Sequence, residues 1–472
     1  MGWNAGNGPL RVAIVGAGPA GFYAADALLK QSDIPVSVDM FDRLLTPFGL
    51  VRHGVAPDHL KIKTVTKAFA QTAAAPGFRF FGNVEFGRDL TVDDLRKHYH
   101  DVIFTTGAQT DRRMGIPGED LARSHPATAF VAWYNGHPDY CHLTFDLRQA
   151  SVAIVGVGNV AIDVARILCL SREELLRTDM PEYAVEALSR SKVKDVYLLG
   201  RRGPAQAAFT NPELKELGEL EVADVLIKPG EAALDEVSRQ EVEAANDRML
   251  ARKVEMIGEY AARPPAGREK RLHLRFLVSP VELVDDGRGG VGAMRLVRNV
   301  LRRSDSGAIA AEPTGETETL PAGLVFRSVG YRGVALPGVP FQERWGVISN
   351  KQGRVTHPET DAPVPGEYVA GWIKRGPSGV IGTNKPDAVE SVTAMLQDAA
   401  AGATWSPVAE TPESVDALLR SRGVDFTSFG DWCAIDAAEL AAGEACARPR
   451  VKFGSKDEMW ACLGREGGRA AG

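Results

Sequence analysis

Short apolar runs that stop at glycines or at an acid, each followed by a helix-length stretch, recur along the chain. The first is Arg11-Val-Ala-Ile-Val15, which stops at Gly16-Ala17-Gly18-Pro19-Ala20-Gly21 and leads into a helical pattern from Phe22 to Lys30. A second apolar run, Val36 to Phe41, ends in Asp42. Strand, glycine turn, helix, strand and acid in that order predict a dinucleotide site. Gly16 permits the turn, Gly18 lets a pyrophosphate approach the backbone, and Gly21 lets the helix pack on the strand. Asp42 is then placed to accept hydrogen bonds from a ribose hydroxyl. The plainer alternative is a glycine turn between packed elements, with Asp42 acting as a cap.

The pattern returns at Ser151-Val-Ala-Ile-Val155, followed by Gly156-Val157-Gly158-Asn159-Val160-Ala161 and a helix from Ile162 to Leu170. Its second strand, Val193 to Leu199, ends in Gly200-Arg201-Arg202-Gly203 instead of an acid. A carboxylate repels a 2′-phosphate, whereas two guanidiniums pair with it bidentately. The first site therefore suits FAD or NAD and the second NADP. Two such sites in one chain are the logic of a flavoprotein pyridine-nucleotide oxidoreductase, in which the cofactors carry the hydride chemistry.

The intervening segments add detail. An irregular loop, Leu44 to His59, precedes a predicted helix from Lys61 to Ala74, and strands are expected over Phe78 to Phe86. Thr91 caps a helix. Asp101 to Ala108 is a buried strand ending in small residues, and Leu324 to Gly330 echoes it. Thr210 or Asn211 caps a helix starting at Pro212, which makes Glu213 an early-turn acid. Arg263 to Arg303 holds ten Lys/Arg against four Asp/Glu and reads as a solvated basic sheet face. A third glycine-rich site, Gly366 to Asn384, is a strand and loop before a helix from Pro386 to Gln397. The tail, Thr411 to Gly472, reads as amphipathic helices packed on the outside, without chemistry of its own.

Composition narrows the class. With 44% hydrophobic and 25% charged residues over 472 positions, the chain fits a globular protein of two or three domains. A formal net charge of −6 argues against a general nucleic-acid binder. Cys141, Cys169, Cys433, Cys446 and Cys462 form no CxxC, which argues against a disulfide framework or a cysteine-ligated iron–sulfur cluster. Met1 to Leu10 lacks the regions of a signal peptide, and no apolar run reaches membrane-spanning length. A cytoplasmic protein with no membrane span is expected.

Taken together, several segments resemble the adrenodoxin-reductase-type ferredoxin–NADP⁺ reductases, especially bacterial single-chain members. They are Gly16–Gly21, Thr46-Pro-Phe-Gly-Leu-Val-Arg52, Gly54-Val-Ala-Pro-Asp-His59, Gly156–Ala161, Gly200-Arg-Arg-Gly-Pro204, Phe209 and Glu213, and Ser328-Val-Gly-Tyr-Arg332. Gly371-Trp-Ile-Lys-Arg-Gly-Pro377 and Gly379-Val-Ile-Gly-Thr-Asn384 complete the likeness, which spans nearly the whole chain. The resemblance implies an α/β fold of two Rossmann-like, glutathione-reductase-like domains. Residues 1–111 and 330–472 would form a split FAD domain with C-terminal helices, and 112–329 an inserted NADP domain. It implies FAD contacts from Gly16, Ala17, Gly18, Ala20, Gly21, Asp42, Leu50, Val84, Trp372, Gly379, Val380 and Ile381. NADP contacts would come from Arg112, Gly156, Val157, Gly158, Asn159, Val160, Ala161, Arg201, Arg202, Glu213 and Gly379. The catalytic pair would be His59 and Glu213, with no metal.

The implied reaction is hydride transfer between NADPH and FAD, then single-electron transfer to or from a ferredoxin-type iron–sulfur protein. Some members fuse a ferredoxin module; this chain has no such cysteines, so a separate carrier is expected. Ferredoxins are usually acidic, and Arg52, Lys61, Lys63 and Lys67 are the candidate basic dock. A monomer is expected. Two alternatives stay open: an NADPH-dependent flavoprotein reductase or oxygenase of a small molecule such as a quinone, and a nucleotide-binding subunit of a larger complex.

Overall fold

The computed structural model describes residues 8–305, 307–409 and 411–466, and the chain divides into two compact units. Residues 1–7, part of the stretch read for a leader, and 467–472 at the end of the tail lie outside the described residues.

The first unit comprises residues up to Thr110, Asn135–Pro138, and Tyr331 onward. Its sheet runs Phe78–Gly82, Val36–Asp42, Leu10–Val15, Asp101–Phe104, Pro363–Val369, all parallel, with Arg354–Thr356 and Asn350–Lys351 added antiparallel at one edge. The first four strands are near-continuous apolar runs because helices cover both faces of the sheet. Helices Pro19–Lys30 and Asn384–Ala400 lie on one side, with Phe22, Leu28, Val392 and Met395 in the shared core.

The second unit holds Asp111–Tyr134 and Asp139–Gly330. Six parallel strands run in the order Ser124–Pro126, Leu324–Arg327, Ser151–Val155, Asp195–Leu199, Lys270–Arg275, Ala223–Ile227. A separate antiparallel sheet, Val278–Asp285, Val291–Arg303 and Ile309–Pro321, carries the basic segment. There Arg295, Arg298 and Arg302 form cross-strand bridges with Glu282, Glu316 and Glu312, the last at 2.8 Å. The solvated-face reading holds for this sheet but not for Lys270 and Arg275 of the same segment, which are buried in the parallel sheet, Arg275 against Glu231 at 2.9 Å.

Three expectations need correction. The helix over Lys61–Ala74 is broken into Leu60–Lys63 and Thr66–Ala73. Thr64 and Thr66 hydroxyls donate back to the carbonyls of Lys61 and Lys63 at 2.7 and 2.8 Å, in competition with the helical ladder. The strand from Phe78 stops at Gly82, because Asn83 enters the left-handed region (φ +63°) and its N–H donates to Leu44. The tail is not an outer layer alone: Trp432, Ile435, Met459 and Trp460 belong to the same core as Leu10, Val12 and Phe22. All five cysteines are free, and among the described residues no helix is long and apolar enough to cross a membrane.

Thr91 caps helix Val92–His98 in a reciprocal box with Asp94. The Asp94 carboxylate also takes both N–H groups of Arg422, at 2.7 and 2.9 Å, so the cap anchors the tail as well. Burial pushes this carboxyl up, but Arg422 and Thr91 outweigh that and hold it at about 2. The folded pKa is depressed, so its stabilisation is full above the unfolded value near 4 and fades as pH falls toward 2. Asp94→Asn should cost about 2 kcal/mol at neutral pH and only a small fraction of that at pH 2, where the folded carboxyl is half protonated. Denaturant unfolding across that pH range measures it.

Candidate functional site

The glycine turns sit at the carboxyl ends of central strands, Leu10–Val15 in one sheet and Ser151–Val155 in the other, beside the point where strand order reverses. Ligands of open α/β sheets bind there. Gly16 has φ +111°, and a Cβ on it would lie 2.7 Å from the Thr105 carbonyl. Gly156 has φ +131°, and its Cβ would strike the Ser328 carbonyl. Thr105 and Ser328 end the two strands that echo each other in sequence. Gly21 packs its Cα against the Gly16 carbonyl, with no room for a side chain. Ala161, in the equivalent position, is fully buried.

Gly18 and Gly158 differ from these. A Cβ at either would meet nothing within 4 Å, and each begins a helix without a side-chain cap. The helices, Pro19–Lys30 and Asn159–Cys169, thus present uncapped N–H groups and a positive dipole end to open space. This cradle fits a pyrophosphate at both places.

The first unit gathers the other predicted FAD residues around its turn. Asp42 accepts from Ala17 N–H at 2.8 Å and from Leu44 N–H at 2.9 Å. Burial pushes its carboxyl up, against the opposing pull of those two backbone N–H groups. The acid therefore braces the turn, as a cap would. Val84 is buried, and its N–H donates to the Asp42 carbonyl. Leu50, 38% exposed, starts the short helix Leu50–His53. Phe48 N–H donates to the Ala17 carbonyl at 2.8 Å, which places the loop before Leu50 against the turn.

On the far side, Gly371 has φ +82°, and a Cβ there would come 2.6 Å from the Ala20 methyl. Its N–H is held by Asp387 at 2.5 Å, and Asp387 also pairs with buried Lys374 at 3.0 Å. Trp372 donates its indole N–H to the Ser378 carbonyl at 3.1 Å. Gly379 and Val380 are exposed and Ile381 is partly so, just before helix Asn384–Ala400. His59 is buried and opens helix Leu60–Lys63, with its N–H on the Ala56 carbonyl.

In the second unit, the segment before Glu213 is stitched to the second turn. Ala208 and Phe209 N–H groups donate to the Val157 carbonyl at 2.9 and 3.1 Å, and Thr210 N–H donates to the Asn159 side chain at 2.9 Å. Thr210 is the cap position, although its hydroxyl makes no capping bond; Asn211 is already helical. Glu213, at the third position of helix Asn211–Leu217, is buried and lies 3.7 Å from Arg166. Arg166 also binds Asp163 at 2.8 Å and Glu216 at 2.6 Å. Sequence reasoning missed Arg166 and Asp387; neither sits in a motif, and their partners are set by packing.

Arg201 is exposed and Arg202 partly so. Among the described residues no carboxylate forms an ion pair with either. Their backbone is fixed: the Arg201 carbonyl accepts from the Asn299 amide at 2.8 Å, and the Arg202 carbonyl from Leu277 N–H at 3.1 Å. Two guanidiniums on a pinned turn at the end of the second strand are available to a polyanion. Arg112 is exposed, with its N–H on the Gly330 carbonyl at 3.0 Å. One residue of the proposed dock does not belong there. Arg52 is buried and engaged by Glu439, so it offers no charge to a partner. Lys61 and Lys67 are exposed, and Lys63 is partly so.

Comparison with known proteins agrees with this geometry. Residues 10–204 match the family described as pyridine nucleotide-disulphide oxidoreductase. The chain is 45% identical over 459 residues to the NADPH-ferredoxin reductase FprA of Mycobacterium tuberculosis, covering 96% of this chain and 98% of that protein. It is 42% identical to the human mitochondrial NADPH:adrenodoxin oxidoreductase, covering 96% and 92%. The solved structure of Mycobacterium tuberculosis FprA in complex with NADPH superposes with a TM-score of 0.90 at 44% identity, over 96% of this chain and 99% of that one.

Two glycine variants separate fold from binding. Gly158→Val, at a negative φ with open space around it, should fold normally and lose nucleotide affinity by more than about tenfold. Gly156→Ala should instead cost about 2 kcal/mol or more in stability, from the positive φ and the clash with Ser328. Thermal melts paired with nucleotide titration distinguish the two.

Proposed function

Because the chain belongs to the adrenodoxin-reductase-type ferredoxin–NADP⁺ reductases, FAD-dependent oxidoreductases that use NADPH, we propose a residue-level account of how it binds its two nucleotides and its electron carrier. Bound FAD exchanges a hydride with the nicotinamide of NADPH and exchanges electrons singly with an iron–sulfur protein.

Residues 1–111 and 330–472 bind FAD. The Gly16–Gly21 turn and the helix dipole behind it hold the pyrophosphate. Asp42 keeps that turn in shape and offers its remaining acceptor capacity to the ribose. Leu50, Val84, Trp372 and Gly379 to Ile381 surround the rest of the cofactor. Residues 112–329 bind NADPH, with the pyrophosphate on Gly156–Ala161, the 2′-phosphate on Arg201 and Arg202, and Arg112 as a further cation. Glu213 and His59 position the nicotinamide and handle protons at the reaction centre. Orientation of the two nucleotides supplies most of the rate, and no covalent nucleophile is required.

The observation that carries this reading is the contrast between the two turns. One is braced by a carboxylate, and the other is followed by two guanidiniums that pair with no carboxylate among the described residues. The chain acts in the cytoplasm as a monomer. Its carrier is an acidic ferredoxin that docks on Lys61, Lys63 and Lys67, with the exposed Ile62 among them. Unlike Arg52, these groups stand on the helices that follow the flavin loop.

Replacing Arg201 and Arg202 together with Ala should weaken NADPH use by roughly 100-fold or more and leave NADH almost unchanged, since each of the two guanidiniums contributes about 1.5–3 kcal/mol through charge-assisted bonds. Anaerobic flavin bleaching with each nucleotide measures this. Equal losses with both would count against the 2′-phosphate assignment. Charge reversal of Lys61, Lys63 and Lys67 to Glu should raise the KM for ferredoxin roughly tenfold and flatten its salt dependence, with NADPH-driven bleaching unchanged. A parent enzyme whose ferredoxin turnover ignores ionic strength would remove the electrostatic dock.

A further inference from the structure

The tail helix Phe429–Ala445 sends Trp432, Ile435 and Glu439 from one face into the core of the first unit. The first two are expected there. Glu439 is a carboxylate with 0% exposure. It takes the forked guanidinium of Arg52 at 2.9 and 2.5 Å, Arg450 at 2.7 Å and the Phe453 N–H at 3.0 Å. Burial pushes its carboxyl up; Arg52 and Arg450 outweigh that and keep it below the ordinary range. Arg52 in turn lies over the Trp432 ring, 4.9 Å from its centroid, and its carbonyl accepts from Lys452 at 3.0 Å.

This cluster grips a segment that does not stand by itself. Arg52 belongs to a four-residue helix, Leu50–His53, one turn long. Just before it, Phe48 has φ +82° and Gly49 has φ +49°. A bulky side chain in that region is a steric outlier, and such strain persists only where the surroundings over-determine it. Here they do so from two sides. The Phe48 N–H is bonded into the glycine turn at Ala17, and a Cβ on Gly49 would lie 3.0 Å from the Gly18 Cα. The Phe48 ring packs on Trp432 and Phe429 of the tail helix, at 5.6 and 6.4 Å.

We infer that Glu439 is a positioning residue of the FAD site: through Arg52, and together with Trp432, it holds the strained Phe48–His53 segment against the Gly16–Gly18 turn. The inference rests on the reading that this turn binds FAD. The tail then acts as part of the cofactor site, although none of its residues is assigned a contact with the cofactor.

The test removes the pair together, and Arg450 keeps Asp436 as its counter-ion at 2.6 Å. Exchanging a buried ion pair for apolar residues of similar volume is often neutral for stability, whereas removing one partner is not. The double variant R52M/E439M should melt like the parent holoenzyme. On dilution it should release FAD at least about tenfold faster, read as recovery of free-flavin fluorescence, and its visible circular dichroism should change. R52K, which keeps the charge and loses the fork, should fall between the two. A folded R52M/E439M or R52K that retains FAD as tightly as the parent, with the parent's spectrum, would overturn the inference and leave the pair a purely structural bridge. Failure of the underlying FAD reading would show in the parent itself, as a protein that purifies without flavin and takes none up.

Discussion

Two places where no side chain fits organise each unit. At Gly16 and at Gly156 the chain turns with a positive φ against the carbonyl that ends the neighbouring strand, Thr105 in one case and Ser328 in the other. That contact fixes where the first strand stops, so it also fixes where the next helix begins and which way its N–H groups face. Asp42, Val84, Gly371 and the Phe48 loop are all located by bonds or contacts to the first turn. Val157 and Asn159 do the same for the segment that carries Glu213. Neither cradle depends on a flexible side chain, so both exist before a nucleotide arrives. Preorganisation of this kind lowers the ordering cost of binding.

On that shared frame, selectivity comes from what terminates the second strand. A carboxylate already engaged by two N–H groups tightens the first turn and disfavours a further phosphate. Two guanidiniums that pair with no carboxylate among the described residues would do the reverse at the second. On the proposed assignment the same backbone geometry would serve two different dinucleotides, and the difference would reside in three side chains.

The turns were legible because each glycine answers a backbone requirement, and spacing along the chain is enough to express it. The positions of Glu213 and the arginine pair were legible for a similar reason: one stands at a helix start and the other at a strand end. Arg52 was not. Its charge suggested an exposed dock, but its partner lies 387 residues away and only the folded chain brings them together. The tail misled in the same way, since the alanine-rich stretch near Leu440 gives no sign that the same helix buries a carboxylate. The break at Thr64–Thr66 shows a local limit, where threonine hydroxyls compete with the helix expected from Lys61 to Ala74. Arg166, with a partner 50 residues on, is another case of pairing by packing.

The central sheet of the first unit has a consequence for synthesis. Strand Asp101–Phe104 pairs on one side with Leu10–Val15, but its other neighbour is Pro363–Val369. Almost all of the second unit emerges from the ribosome between them. At roughly 5–20 residues per second, an apolar strand edge waits on the order of tens of seconds for its cover. An open edge of that kind is a template for unwanted pairing. The second unit, drawn from an almost unbroken stretch, can complete its core during that interval. The nascent chain therefore spends its most aggregation-prone period with one unit finished and the other half-built, a window in which a chaperone that shields strand edges would matter most.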